Sequence, residues 1–262
     1  MKLDFLNRVA LLPAASGGLG RAAALELAAG GARIALSGRD PDRLEQCVRD
    51  LRAAGASDVF AKAGDCTVAA DIEALVRDTE SRFGRIDILV ANSPGTLVKP
   101  FEQLTDDDWR IAFNSKLVTQ ARQARLVWQG MVARGYGRIL FIAGTHGRQP
   151  HAQVLTAGVI NAGLLSLAKG LAEAGAPHGV LVNAVNPGPT DTDRMRYLVA
   201  RKASEEGVST DEARSAFTGD IVLRRFGYPA EIGAAIAFLA SDRASFITGV
   251  SFNVDGGQTR TI

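Results

Sequence analysis

Residues Val9 to Gly20, VALLPAASGGLG, decide the fold. The apolar run Val9 to Leu12 is typical of a buried strand, Pro13 ends it, and a loop of small residues leads into an alanine-rich helical stretch, Arg21 to Ala29. A strand, a small-residue loop and a helix start are what a dinucleotide phosphate site needs, because a bare backbone approaches the pyrophosphate and the free N–H groups of the helix attract the anion. Gly-rich turns also serve purely structural βα connections, so this stretch alone leaves both interpretations open.

The composition predicts one large α/β domain covering residues 1–262. The chain is 47% hydrophobic and 22% charged, and its net charge of +2 is spread along the sequence. The sequence has no basic stripe, so neither nucleic acid nor an anionic membrane is predicted as a partner. No apolar window approaches the length of a membrane span, and the charged N-terminus does not resemble a signal peptide. Two cysteines, Cys47 and Cys66, predict no disulfide framework and favour a cytoplasmic location.

Apolar strands alternate with helices along the chain, which is the mark of a parallel sheet covered on both faces. Besides Val9 to Leu12, the predicted strands are 32–37, 59–63, 86–91, 138–143, 180–185 and 250–254. After the first helix, the predicted helices are 41–53, 69–83, 106–112, 114–134, 154–174 and 229–240. The polar segment 192–220 has no strand pattern and follows the carboxyl end of a strand, where ligands bind in such sheets, so it predicts a substrate lid.

With these landmarks in order, the chain resembles the short-chain dehydrogenase/reductase family over nearly its whole length. The resemblance implies a Rossmann-like, doubly wound sheet of seven parallel strands in a single domain, usually assembled as a homotetramer or homodimer. It also implies that the small-residue helix 154–174 packs against an oligomer partner, which could be an active homologue. The residues that carry the resemblance are the Gly-rich loop, Asp65, Asn92, Trp109, Asn114, Asn186-Pro187-Gly188, Thr192, Ile247-Thr248-Gly249 and Val254-Asp255-Gly256-Gly257.

The resemblance assigns a set of cofactor-binding residues. Gly18 and Gly20 match two family glycines, whereas Pro13 and Ala14 replace the usual Thr-Gly and add a methyl group where the family turn is tightest. Asp65 matches the family's carboxylate that accepts a hydrogen bond from the adenine amino group. The full set is Ser16, Gly18, Leu19, Gly20, Arg39, Asp65, Cys66, Asn92, Pro187, Gly188, Thr190 and Thr192.

Arg39 is the residue that distinguishes a site for NADP(H) from one for NAD(H). A site for NAD(H) places an acid at the end of the second strand to bond the ribose 2′-hydroxyl. Here Gly38 occupies that position and Arg39 follows, which suits a 2′-phosphate through charge-assisted hydrogen bonds. The sequence therefore favours NADP(H) over NAD(H).

The family's catalytic residues are missing. An ungapped alignment of the segment 137–147 places Gly144 at the serine position, Ala157 at the tyrosine position and Asn161 at the lysine position. Of the four family residues, only the asparagine is retained, as Asn114. The usual mechanism is excluded, because glycine and alanine carry no proton and asparagine supplies no charge.

Four other side chains are candidates to replace the missing groups. They are Thr145, next to the serine position; His146 and His151, in the loop beside the expected pocket; and Tyr197, in the predicted lid. Histidine titrates near neutrality and could donate a proton. No metal-ligand spacing joins these residues to acids or cysteines, so no metal is predicted.

Three functions remain open on the sequence. The first is an NADP(H)-dependent oxidoreductase that reduces a small carbonyl, enone or imine in a remodelled site, since the hydride comes from the cofactor. The second is a non-redox lyase, isomerase or cyclase in the same pocket. The third is an inactive protein that binds the cofactor and acts through oligomerisation.

Overall fold

The computed structural model describes residues 3–96 and 98–261, and its centre is one parallel sheet. The strand order is β3-β2-β1-β4-β5-β6-β7. This arrangement confirms the predicted doubly wound, Rossmann-like fold. The strands are β1 (Val9–Leu12), β2 (Arg33–Gly38), β3 (Asp58–Ala63), β4 (Ile88–Ala91), β5 (Gly137–Ile142), β6 (Val180–Pro187) and β7 (Ser251–Val254).

The strand order reverses at β1, which pairs with β2 on one side and with β4 on the other. The carboxyl ends of the strands open into a crevice at this point, which is where open α/β sheets bind ligands. All four residues of β1, and all four of β4, are buried, because helices cover both faces of the sheet.

Two hydrophobic cores fill the space between sheet and helices, one on each face. On the first face, α1 crosses α9 so closely that a Cβ at Gly233 would lie 2.6 Å from the Ala22 carbonyl oxygen. The helices are α1 (Gly18–Ala29), α2 (Pro41–Ala54), α3 (Ala69–Phe83), α4 (Asp106–Ala112), α5 (Thr119–Arg134), α6 (Leu155–Gly175), α7 (Asp193–Glu206), α8 (Thr210–Thr218) and α9 (Pro229–Ala240).

The predicted helices 106–112 and 114–134 are joined without a break. A π-helical turn, Phe113–Val118, connects α4 to α5. The Thr119 hydroxyl donates to the Asn114 carbonyl oxygen five residues back, at 2.8 Å. Such turns rotate the side chains that follow them and occur often at functional sites.

The polar segment 192–220 folds into two capped helices. The Thr192 hydroxyl accepts from the Met195 N–H at the start of α7, and Ser209 and Glu212 form a capping box at the start of α8. A small separate core, which includes Val199 and Ile221, holds this segment together.

The expectation that no apolar window reaches membrane-spanning length is wrong. The helical region Ala152–His178 is long and apolar enough by length and composition, with a mean hydropathy of 1.5. A core helix of an α/β protein passes the same test, and α6 buries eight residues, among them Ile160 and Leu164, which are inaccessible to solvent.

Candidate cofactor and substrate site

A cavity of about 860 Å³ lies at the carboxyl ends of β1 to β6. Eleven of the twelve predicted cofactor residues line it, the exception being Gly20. A Cβ at Gly20 would lie 2.9 Å from the Ala15 backbone and 2.8 Å from Asn92 Nδ2, so this glycine lets the loop pack tightly beneath the cavity. The further lining residues are Ala14, Gly17, Gly38, Asp40, Arg43, Gly64, Ser93, Pro94, Gly95, Lys116, Ile142, Ala143, Asp193, Arg194, Met195 and Leu198.

The loop from Ala14 to Gly18 presents bare backbone to the cavity. Gly18 has φ +54° and opens α1, and among the described residues no side chain caps this helix and no acid lies in its first turn. The first N–H groups of α1 are therefore free to meet an anion. Ala14 adopts φ +52°, so the alanine that replaces the family glycine keeps the left-handed backbone despite its methyl group.

Asn92 joins the loop after β4 to the loop after β1. Its Nδ2 donates to the Ala14 carbonyl oxygen at 3.0 Å. Gln123 on α5 holds the Asn92 backbone from below, because its Nε2 donates to the Asn92 oxygen at 2.9 Å and its Oε1 accepts from the Asn92 N–H at 3.2 Å. The cavity floor is thus fixed by side-chain amides.

At the end of β2, where the adenine ribose is expected, both the available space and the charge limit which cofactor can bind. A Cβ at Gly38 would lie 2.5 Å from Ser16 Oγ, so this position excludes a larger side chain. Arg39 is exposed, and its Nη1 lies 3.8 Å from Asp65 Oδ2. Arg43 crosses the loop at Gly17 and pairs with Asp193 of α7 at 2.5 Å.

Asp65 and Cys66 differ in protonation. Burial raises the pKa of Asp65, but hydrogen bonds from the Thr67 N–H and hydroxyl, together with the charge of Arg39, outweigh burial and lower it. Asp65 is therefore an anionic acceptor. Burial, and then the Asp65 charge, raises the pKa of the Cys66 thiol to about 12, so Cys66 stays protonated and is a poor nucleophile.

Gly144 and Asn161, which the sequence predicts at the family's serine and lysine positions, are in contact. Gly144 has φ +154° and ψ 156°, a conformation that is essentially restricted to glycine. A Cβ there would lie 2.7 Å from Asn161 Nδ2. Asn161 is buried, and its Oδ1 has no hydrogen-bond partner among residues 3–96 and 98–261.

The candidate replacement residues do not converge on the cavity. Thr145 is buried and its hydroxyl donates to Gln258 Oε1 at 3.4 Å, while Tyr197 is 62% exposed. The His146 and His151 rings lie 6.1 Å apart, and burial lowers the pKa of His146. These four residues are absent from the lining set of the described cavity, as is Asn114, which is exposed.

Lys116, two residues after Asn114, does reach the cavity. It lies in the π-helical turn, and its Nζ donates to the Ala143 carbonyl oxygen at 2.8 Å, immediately before Gly144. Burial, and then the charge of Arg194, lowers the pKa of Lys116 to about 7. Arg194 on α7 also lines the cavity and donates to the Thr96 carbonyl oxygen at 2.8 Å.

The sequence carries a signal for this region of the site, although Lys116 was not among the predicted site residues. Lys116, Gln120 and Gln123 follow the helical spacing i, i+4, i+7, so they form one polar stripe in a helix whose partners are apolar strands. Gln120 and Gln123 are fully buried, and Gln120 Nε2 donates to the Ile142 carbonyl oxygen at 3.1 Å. A polar stripe that faces a sheet indicates a site at the strand ends.

No group of three metal-ligating side chains occurs in the described part of the chain.

The doubly wound sheet with a glycine-lined cavity at its switch point defines a dinucleotide-binding protein class. A model of the family described as enoyl-(acyl carrier protein) reductase matches residues 14–259. The chain belongs to the short-chain dehydrogenase/reductase family, to which these reductases and the relatives below belong.

Curated and solved relatives cover nearly the whole chain. The NADPH-dependent reductase BacG of Bacillus subtilis is 31% identical over 98% of this chain and 99% of its own. The crystal structure of YwfH, an NADPH-dependent reductase involved in bacilysin biosynthesis, has a TM-score of 0.91 and 31% identity over 97% of this chain and 99% of its own. The 3-oxoacyl-[acyl-carrier-protein] reductase FabG of Escherichia coli is 31% identical over 98% of this chain and 99% of its own. L-Sorbose reductase from Gluconobacter frateurii, solved with NADPH and L-sorbose, has a TM-score of 0.94 and 28% identity over the full length of both chains.

Proposed function

We propose that this protein is an NADP(H)-dependent oxidoreductase that reduces a small carbonyl, enone or imine in an atypical active site. The observation that carries the proposal is one continuous cavity lined by a glycine-rich helix start, the carboxylate of Asp65 and four cations, Arg39, Arg43, Lys116 and Arg194. Its volume of about 860 Å³ falls within the range of ligand sites, roughly 300 to 1,000 Å³.

The residues at the cavity fit a phosphorylated dinucleotide. The α1 N-terminus and the bare loop at Gly18 suit the pyrophosphate, and Asp65 suits the adenine amino group. Position 38 has no room for the acidic side chain that would bind the ribose 2′-hydroxyl of NAD(H), whereas Arg39 supplies a positive charge for the 2′-phosphate of NADP(H). The relatives BacG and YwfH, both described as NADPH-dependent, support the same choice.

In this function the chain contributes position and charge. Bound NADPH supplies the hydride. Asn92, held by Gln123 and Ala14, keeps the loop after β4 in place, and Pro187 and Gly188 form the opposite wall at the end of β6. Arg194 gives the substrate region a positive charge, which favours developing negative charge on a substrate oxygen.

The active site is atypical because Gly144, Ala157 and Asn161 stand where the family has serine, tyrosine and lysine. The contact between Gly144 and Asn161 supports this assignment, since a serine at 144 does not fit beside Asn161. Thr145, His146, His151 and Tyr197 stay as secondary candidates that would need movement of the loop or of α7.

The remaining features of the proposal concern assembly and location. We propose that α7 and α8 form the substrate lid, with the Arg43–Asp193 ion pair joining α7 to α2 beside Gly17. We also propose a homotetramer or homodimer in which α6 packs against a partner, and a cytoplasmic location. The two cysteines are free and buried, which agrees with a reducing compartment.

The proposal is tested by turnover. Purified protein is mixed with NADPH and a panel of ketones, 2-oxo acids, enones and imines, and oxidation is followed at 340 nm. We expect oxidation that depends on one substrate class. NADPH binding without oxidation across the panel would favour an inactive cofactor-binding protein, and turnover of a substrate without any nicotinamide would favour a lyase, isomerase or cyclase.

Arg39→Ala is expected to weaken NADPH binding by roughly 10- to 100-fold while leaving NADH binding unchanged, because a hydrogen bond to a charged group contributes about 1.5–3 kcal/mol. Fluorescence titration with both cofactors measures the two affinities. Arg49→Ala is the matched control, since Arg49 is exposed on α2, pairs with Glu45 and lies outside the cavity. An unchanged NADPH preference in Arg39→Ala would overturn the assignment of the phosphate site.

A further inference from the structure

The side chain of Lys116 enters the substrate region of the cavity. It lies two residues after Asn114, the residue of this helical stretch that the sequence favoured as a site residue. Lys116 lies on the π-helical turn, and its Nζ is fixed by the Ala143 carbonyl oxygen at 2.8 Å. Ala143 directly precedes Gly144 at the end of β5. The ammonium group is therefore held beside the position that is assigned to the family's serine.

We infer that Lys116 is the proton donor to the substrate in this active site, the role for which the tyrosine position, Ala157, has no group. This inference rests on the proposed reductase function and names the acid within it. Lys116 touches the reacting oxygen in this proposal, so it is a catalytic residue.

The geometry supports donation to a ligand. An ammonium group has three donors, and the Ala143 oxygen is the one hydrogen-bond acceptor that the described part of the chain offers to Nζ. Among the described residues no acid forms a salt bridge with Lys116 or with Arg194, whereas Arg39 and Arg43, the other two cations that line the cavity, have acidic partners. A proton on Lys116 is thus free to transfer.

The surroundings of Lys116 favour release of that proton near neutral pH. The charged group that acts on it is Arg194, across the cavity on α7. The end of β5 presents Ile142 and Ala143, and the loop after β4 presents Ser93, Pro94 and Gly95, none of which titrates in this range. Desolvation and the Arg194 charge lower the pKa of Lys116 to about 7, the value at which a general acid works best at neutral pH.

The proposed step balances for a carbonyl substrate. The carbonyl carbon receives a hydride from the reduced nicotinamide, which is thereby oxidised, and the carbonyl oxygen receives a proton from Lys116. One O–H bond forms as one N–H bond breaks. The product is an alcohol, and the neutral Lys116 amine regains a proton from water.

Lys116→Met is expected to lower kcat for reduction by about 10² to 10⁴-fold, the usual contribution of a positioned acid, while the Kd for NADPH stays unchanged. Lys62→Met is the matched control, because Lys62 lies on β3, pairs with Asp78 and is outside the cavity. Wild-type kcat is expected to fall as the pH rises through about 7, since the protonated form is the donor.

Lys116→Arg separates proton donation from charge. Arginine keeps the positive charge but does not give up its proton near neutrality. We expect kcat of this variant to be low and to lack the decline near pH 7. A rate equal to that of the wild type would show an electrostatic role and would overturn the inference.

A third measurement needs no turnover. In the cofactor-free protein, NMR titration of the lysine Nζ signals, with Lys116→Met for assignment, is expected to show one lysine that titrates near pH 7. A Lys116 pKa near its ordinary value of about 10.4 would overturn the inference. A wild type that reduces the panel while Lys116→Met keeps its rate would refute only the role of Lys116, whereas a wild type that reduces nothing refutes the proposed function.

Discussion

Gly144→Ser is expected to lower the free energy of unfolding by about 2 to 6 kcal/mol, since a strained backbone and an overpacked side chain each cost about 1–3 kcal/mol. The backbone at φ +154° and ψ 156° lies in a region that side chains rarely occupy. The new Cβ would also lie 2.7 Å from Asn161 Nδ2, inside a buried contact. Urea unfolding followed by circular dichroism measures the loss.

A double-mutant cycle divides this loss into its two causes. Asn161→Ala removes the amide that the serine would meet, so Gly144→Ser is expected to cost less in that background, and the difference is the steric part. Gly135→Ser is the control for replacing a glycine of positive φ where no steric contact arises, because Gly135 has φ +65° and a Cβ there would meet nothing within 4 Å. A Gly144→Ser loss that is unchanged by Asn161→Ala would show that the contact with Asn161 has no energetic role.

The cycle has a consequence for the active site. A change at position 161 relieves the steric part of the cost of a serine at position 144, because a Cβ there would lie 2.7 Å from Asn161 Nδ2, but it leaves the backbone strain. Introducing serine, tyrosine and lysine together is therefore a different experiment from introducing them singly. We expect the single substitutions at Gly144 and Ala157 to give no usual family chemistry.

The fold could be predicted because its signal is local and repeated. Most strands of the sheet are short, largely apolar runs followed by a turn residue, as β1 is followed by Pro13 and β4 by Asn92, and helices such as α3 and α9 have the predicted bounds, Ala69–Phe83 and Pro229–Ala240. Such patterns survive because burial on both faces of a parallel sheet requires them.

The substrate region could not be predicted to the same degree, since it depends on helix phase. A π-helical turn shifts every later side chain on the helix around its axis, and that turn leaves Asn114 exposed and directs Lys116 into the cavity. The family resemblance favoured the asparagine. The position of the His146 side chain could not be predicted either. Its hydrogen bond to the Gln149 carbonyl oxygen and its contact with the His151 ring depend on the path of the loop that carries these residues.

The cofactor region was more predictable, because its residues directly follow strands. Arg39 follows β2, Asp65 follows β3 and Asn92 follows β4, and parallel strands bring these ends together. What the sequence did not show is why position 38 is glycine. Ser16, from the loop after β1, fills the space that a side chain would need, so the preference against an acid is steric as well as electrostatic.

Ser16→Gly combined with Gly38→Asp is expected to reverse the cofactor preference, with NADPH affinity lowered about 100-fold and NADH affinity raised, because the new carboxylate accepts from a ribose 2′-hydroxyl and repels a 2′-phosphate. Fluorescence titration of both cofactors measures the change. Gly38→Asp alone is expected to bind both cofactors poorly, since its Cβ would lie 2.5 Å from Ser16 Oγ. Ser16→Gly alone is the control and should keep the NADPH preference through Arg39. If Gly38→Asp alone bound NADH as well as the double variant does, Ser16 would have no part in the selection, and the preference would rest on charge alone.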